Sequence, residues 1–323
     1  MIEPTVSIVV NCFNGAQTLR RCLNSILAQT FTDWEIIFWD NMSSDDSAAI
    51  AKSYGHKIKY FKSEYTTKLS EARCNALEQC SGEYVAFLDV DDLWYPKKLE
   101  IQLDKIKNTD FILCYGGITE VSPSMDFIRH VIPSYEDGNQ FKEHLRQFEI
   151  NMVTPLIKLD VLRKHSITFD SNIVASEEYN LFMRLALLGD FCSVDDVLGE
   201  WVINQDSLTN QSIDSWCEDR RYTLDVIISE TPSIKSVYSK EFQLAYARSD
   251  YYEARFLISV KKWKKARRLL KKNKFYSGTF FFLWLLSMSP WLWHLLHNER
   301  LKRVLSGSVL KKSKRTRVDL KDA

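Results

Sequence analysis

Glycine and proline are scarce, with 10 and 7 in 323 residues. That scarcity excludes a collagen-like repeat and a low-complexity chain. The seven cysteines (Cys12, Cys22, Cys74, Cys80, Cys114, Cys192 and Cys217) are odd in number and scattered, with no Cys-x-x-Cys pair. A zinc site or disulfide framework is therefore not expected, and reduced thiols are. No basic start followed by an apolar run appears. The chain opens Met1-Ile2-Glu3-Pro4, so no secretory signal is expected. What is plentiful is core material: 45% of residues are hydrophobic and 13% aromatic, which excludes disorder for most of the chain. The length allows one large domain or two ordinary ones.

The net charge of +1 hides two opposed halves. Residues 261–323 carry 18 Lys and Arg against 3 Asp and Glu, a net of +15, so residues 1–260 carry −14. An acidic body with a basic tail points to an anionic partner for the tail, membrane or nucleic acid.

The first third alternates short apolar runs with helical spacing. Val6 to Phe13 is rich in β-branched residues and ends at Asn14-Gly15. Leu19, Cys22, Leu23, Ile26 and Leu27 then recur as on a helix over 17–29. Strands are predicted at 35–40, 57–63 and 84–89, helices at 45–54 and 70–80, and another helix opened by Pro96 in its first turn. Such alternation implies an α/β fold with a mostly parallel sheet covered on both faces, whose ligands bind beyond the carboxyl ends of the strands. Asn11, Asn14, Asp40, Asp89, Asp91 and Asp92 fall at those ends.

Asp89-Val90-Asp91-Asp92 places three carboxylates in four residues. Like charges this close raise each other's pKa unless a cation sits among them. Hard carboxylate oxygens suit Mg²⁺ or Mn²⁺ completed by substrate phosphates, while a solvated helix-capping turn is the plain alternative.

Three ordered blocks extend this pattern: residues 6–46, 71–100 (EARCNALEQCSGEYVAFLDVDDLWYPKKLE) and 176–190 (SEEYNLFMRLALLGD). Together they resemble family 2 glycosyltransferases, with the nucleotide-diphospho-sugar-binding fold called GT-A, over roughly residues 4–210. The resemblance implies that Asp40 accepts a hydrogen bond from the nucleotide base, and that Asn11, Cys12 and Asn14 line base and ribose. It implies that Arg73 faces the diphosphate, Asp89 lies near the ribose, Asp91 binds the metal, and Asp92 and Trp94 shape the acceptor side. The catalytic base maps to Glu177-Glu178, with Glu178 favoured and Glu177 serving if the register differs by one. A carboxylate is needed there because an acceptor hydroxyl is a poor nucleophile. Near the start of a helix over about 176–188, these acids also read as dipole-favoured residues capped by Ser176. A single base that activates an acceptor attacking opposite the leaving group implies inversion.

Three departures stand out. Asp40-Asn41-Met42-Ser43 replaces the usual Asp-Asp-Gly-Ser, the base is Glu rather than Asp, and the stretch Trp201 to Thr209 has Val202 and Asn204 where relatives carry Arg and His. Arg184 is either structural or turned toward the diphosphate.

Beyond a glycosyltransferase domain at 1–213, residues 214–274 read as a helical appendage, with Trp216, Tyr222, Val226, Ile227, Phe242, Leu244, Tyr246 and Ala247 at helical spacing. Nine of the fourteen residues 261–274 are Lys or Arg, and residues 275–298 contain no Asp, Glu, Lys or Arg. Ser287, Ser289 and Pro290 interrupt that window. An interfacial or shallow re-entrant helix pair fits it better than a membrane span or a packed soluble helix. The expected partners are thus a UDP-sugar donor, a saccharide or lipid-linked acceptor and the cytoplasmic membrane surface, with no nucleic acid. The expected location is cytoplasmic, peripheral to the inner face of the membrane, with Lys311 to Arg317 as a frayed tail. Competing functions are a nucleotidyltransferase of similar fold, for which Asn11 to Gly15 supplies no phosphate loop, and a catalytically silent nucleotide-sugar-binding protein. The membrane spans and Gln-x-x-Arg-Trp element of processive synthases are absent.

Overall fold

The computed structural model describes residues 3–203 and 213–296. The chain divides into two compact units, Met1–Glu253 and Ala254–Ala323. The first unit is built on a nine-stranded mixed sheet. Its early strands are β1 (Val6–Cys12), β2 (Trp34–Asp40), β3 (Ile58–Lys62) and β4 (Tyr84–Phe87). The later ones are β5 (Leu93–Trp94), β6 (Leu113–Val121), β7 (Phe127–Val131), β8 (Leu156–Lys158) and β9 (Phe191–Val202). The strand order is β3-β2-β1-β4-β8-β6-β9-β5, with β7 pairing β6. The first four strands are parallel, as their continuous apolar runs predict. β8 joins antiparallel between β4 and β6, while β6 and β9 are parallel to each other.

Alternation along β1 sorts the core into two layers. Val6, Ile8 and Val10 meet α1 (Ala16–Leu27), α2 (Ser47–Ser53) and α4 (Lys98–Ile106). Val9 meets the opposite layer, which includes α3 (Leu69–Glu78), α5 (Phe141–Arg146), α6 (Leu159–Lys164) and α7 (Glu177–Leu185). In α1 the buried residues Leu19, Cys22, Leu23 and Ile26 repeat at three and four, so one stripe faces the sheet. Pro96 lies just before α4 rather than in its first turn, because Lys97 takes the capping position.

The expected domain boundary at 213 moves. Leu224 and Ile227 of α8 (Ile213–Glu230) share the second core layer with Phe242 and Ala245 of α10 (Ser239–Ser259), which follows the short α9 (Ile234–Val237). Residues 213–253 therefore belong to the first unit. The second unit contains α11 (Trp263–Asn273), α12 (Gly278–Leu286) and α13 (Pro290–Leu296). Ser287 to Ser289 separate the last two, so the described part of the uncharged window contains a helix pair. No described helix is long and apolar enough to cross a membrane.

Candidate active site

Three parallel strands deliver the site. β1 lies between β2 and β4, and the chain leaves it in opposite directions on its two sides, which opens a crevice at the strand ends. Cys12 and Asp40 are paired at the ends of β1 and β2. Val85, Phe87 and Asp89, two residues apart, face the layer that holds α3. Asp89 can therefore reach Arg73, which lies on the buried face of α3 one turn before Ala76 and Leu77.

Arg73 is the centre of the arrangement. Its side chain is 3% exposed, and its guanidinium donates from Nη2 to both Asp89 oxygens at 2.7 and 2.9 Å. Nη1 donates to Glu177 Oε1 at the first residue of α7. Burial pulls the Arg73 pKa down, and Asp89 and Glu177 more than offset it, holding the pKa above its usual value. Arg73 is thus spent on two carboxylates.

The two acids opening α7 part company. Glu177 is buried and paired with Arg73. Glu178 is partly exposed and its carboxylate meets its own backbone N–H rather than another side chain. Burial, reinforced by the Glu177 charge, pushes its pKa up to about 7. A carboxylate poised there suits proton abstraction near neutral pH. Ser176 occupies the N-cap position without a side-chain capping bond. Asp219 on α8 holds the approach instead, accepting from Val174 N and Ala175 N at 3.2 and 2.7 Å.

The acidic turn itself is tightly placed. Burial and then Asp89 push Asp91 up to about 6. The Asp91 carbonyl accepts from Arg21 Nη2 at 2.5 Å, while its carboxylate meets only its own backbone N–H. Asp92 is buried and accepts from Val202 N at 2.8 Å; burial, with Asp91 and Asp89 beside it, raises its pKa. The Asn14-Gly15 turn packs on this segment: a Cβ at Gly15 would come within 2.8 Å of the Val90 side chain. Among the described residues no group of three or more potential ligands forms a ready-made metal cage. The Asp91 carboxylate beside a strand-end crevice nonetheless fits a hard divalent ion that takes its remaining oxygens from a diphosphate and water.

On the other wall, Asp40 is fully buried, with Oδ1 accepting from Ser43 N at 2.7 Å and Oδ2 from the Tyr60 hydroxyl at 2.6 Å. Each oxygen retains a second lone pair for a further donor, but the carboxylate has no exposed surface. Asn11 is buried beside it with an unpartnered Nδ2, and burial raises the Cys12 thiol. Asn14 is exposed and fixes the 43–44 turn by accepting from Ser44 N at 2.8 Å.

Trp94 does not line the crevice. Its ring is buried in the core, its indole N–H donates to Val153 O at 2.7 Å, and Lys98 Nζ sits 4.0 Å from the ring centroid. Arg184 pairs with Glu230 on α8 at 3.8 Å, which favours the structural reading of that residue. Asn204 to Thr209 and Lys311 to Arg317 lie outside the described residues. Arg21, Tyr60 and Asp219 carry no motif that marks them in the sequence. Tyr60 was accessible in principle: it pairs with Phe38 across β2 and β3, and Asp40 is the next residue on that face.

The glycosyl transferase family 2 profile matches residues 7–166. An uncharacterized glycosyltransferase of Rickettsia typhi is 30% identical over 225 residues, covering 65% of this chain and 68% of the relative. The chain belongs to glycosyltransferase family 2. The UDP-Glc:alpha-D-GlcNAc-diphosphoundecaprenol beta-1,3-glucosyltransferase WfgD of Escherichia coli is 28% identical over 186 residues, 57% of this chain and 71% of that one. Some relatives are far longer; the chain spans 27% of a 32% identical Rickettsia bellii glycosyltransferase, over 56% of its own length. Among solved structures, S. aureus TarS 1–349 with UDP-GlcNAc aligns at a TM-score of 0.61 and 16% identity, covering 97% and 93% of the two chains. A Pyrobaculum calidifontis mannosyltransferase with GDP-Man and Mn²⁺ aligns at 0.60 and 14%, covering 97% and 89%. Both share the GT-A fold. This family 2 enzyme is accordingly a glycosyltransferase, and the nucleotidyltransferase alternative falls.

Proposed function

We propose that the chain is an inverting, metal-dependent, non-processive enzyme. It moves a sugar from a nucleoside-diphosphate sugar, UDP-linked by preference, to a saccharide hydroxyl on a lipid-linked acceptor in surface-polysaccharide assembly. The observation that carries this reading is the Asp89–Arg73–Glu177 bridge, which sets the acidic turn and the start of α7 on one crevice. The UDP-sugar and lipid-linked acceptor of similar proteins support the substrate classes by analogy.

Asn11, Cys12 and Asn14 line the nucleoside, with Asp40 behind them fixing the 41–44 turn. Asp89, held by Arg73, borders the ribose. Asp91 holds Mg²⁺ or Mn²⁺, which when bound neutralises charge on the diphosphate leaving group. Asp92 shapes the acceptor side from within the fold, through the Val202 backbone. Glu178 takes the proton from the acceptor hydroxyl as its oxygen bonds to the anomeric carbon. The bond from that carbon to the diphosphate breaks, and nucleoside diphosphate leaves. Attack from the face opposite the leaving group turns an α-linked donor into a β-linked product. Glu177 cannot do this while it neutralises Arg73.

The test is release of nucleoside diphosphate from a panel of nucleotide sugars, with Mn²⁺ or Mg²⁺ and membrane lipid extract. Release from one donor, lost with chelator, and a product of inverted anomeric configuration by NMR are expected. Retention of configuration, or turnover indifferent to chelator, contradicts the mechanism. Metal-dependent binding of nucleotide without release from any donor favours the silent-binding alternative.

A further inference from the structure

We infer that the described part of the second unit is a docking surface for an anionic lipid bilayer, with a phosphate headgroup seated among its lysines. This deepens the lipid-linked reading of the acceptor and rests on it.

Helix α11 turns Ala266, Leu270 and Asn273 inward, at four- and three-residue spacing. Its remaining surface, with the residues that flank it, carries Lys261, Lys262, Lys264, Lys265, Arg268 and Lys271 exposed. No acid occurs between residues 261 and 274. Such a run repels itself unless an anionic partner meets it. Lys261, Lys262, Trp263, Lys264 and Lys265 line a cavity of about 460 Å³. Its lining is mainly apolar, so the lysine stems and the indole supply an oily surface, while the exposed lysines supply charge for a phosphate.

The neighbouring helices expose what a soluble protein buries. α12 reads GTFFFLWLL, yet only Phe280 and Leu286 are buried. Phe281, Phe282 and Leu285 are exposed, as are Phe275 at 82%, Trp291 at 70% and Leu292. Arg267 binds the Ser287 carbonyl at 3.0 and 3.3 Å, fastening α11 to the end of α12. Lys274 Nζ lies 4.4 Å from the Trp284 ring centroid. Cations and apolar rings are thus built into one fastened unit. Nine residues of helix extend only about 13 Å, against a hydrocarbon core of about 30 Å, so α12 lies in the interface. Nucleic acid would engage the lysines and stack on aromatics, but leaves Leu285 and Leu292 without a role.

The test is co-sedimentation of the full chain with two kinds of vesicle. One is phosphatidylcholine alone, the other equal parts phosphatidylcholine and phosphatidylglycerol. Wild type should bind the anionic vesicles at least about tenfold more tightly, since each cation near such a surface contributes about fivefold. Lys264→Gln with Lys265→Gln should lose most of that preference. Phe282→Ser with Trp291→Ser should lose the binding that survives raised salt. Brominated lipid should quench wild-type fluorescence more than that of Trp291→Phe, a mild variant that serves if the others misfold. The inference is overturned by absent wild-type binding, by equal binding of all variants, by pelleting without vesicles, or by an oligonucleotide that displaces the vesicles. None of these outcomes depends on turnover, so a failed transferase assay leaves the result readable.

Discussion

The two units place charge and aromatic rings in opposite ways. In Met1–Glu253, Arg73, Glu177 and Asp92 are inside, each held by a named partner, and Phe87, Phe169 and Phe182 are inside with them. In the described part of the second unit most of the lysines are outside, and so are Phe275, Phe282 and Trp291. Burying an ion costs several kcal/mol, so a buried guanidinium between two acids is a poor way to gain stability. It is a good way to fix positions. Exposed rings beside cations are likewise poor for solubility and good for a surface with a charged and an oily side. The first unit spends free energy on geometry, and the second on contact.

That contrast can be broken in graded steps. The largest effect is expected from Arg73→Met, which leaves Asp89 and Glu177 facing each other without a cation. Chemical denaturation should show a loss of about 3–5 kcal/mol. Adding Glu177→Gln should recover part of it, and a strictly additive double variant would deny the bridge its role. Next comes one deletion made in both units. Phe182→Ala, in the core, should cost about 3–5 kcal/mol. Phe282→Ala, 53% exposed, should stay within about 0.5 kcal/mol. Equal losses would erase the distinction.

The smallest effect is a slope. Glu178 has its pKa raised from 4.5 to about 7. Between those values the folded state keeps a proton that the unfolded chain has released, so stability falls as pH rises through that window. Glu178→Gln should flatten the slope measured by denaturation at several pH values. An unchanged slope assigns the titration elsewhere.

Much of this was legible in the residues. The strand–helix alternation of the first ninety residues gave the parallel half of the sheet, because buried strands and amphipathic helices carry different periods. Asp40, Asp89, Asp91 and Glu177-Glu178 were placed at element ends. What those side chains do there was less legible. Asp40 is closed off by Tyr60, a contact between strands that no linear pattern prints. Trp94 follows three acids and reads as part of the crevice, yet its two-residue strand pairs with Gly199, where a Cβ would come within 2.4 Å of Leu93 O. That close approach draws the ring into the core. Arg73 keeps its place on the site but answers to carboxylates, because its buried helix face leaves it nothing else to meet.

The most direct test compares the two neighbouring acids by initial rate of nucleoside diphosphate release and by calorimetric binding of UDP with Mn²⁺. Glu178→Gln should lower the rate about 10²–10⁴-fold with binding unchanged, as expected for loss of a general base. Glu177→Gln should keep the base and lose stability, with a rate recoverable at lower temperature. A Glu178→Gln enzyme that turns over like wild type, or a Glu177→Gln enzyme that is stable and inactive, would contradict the account.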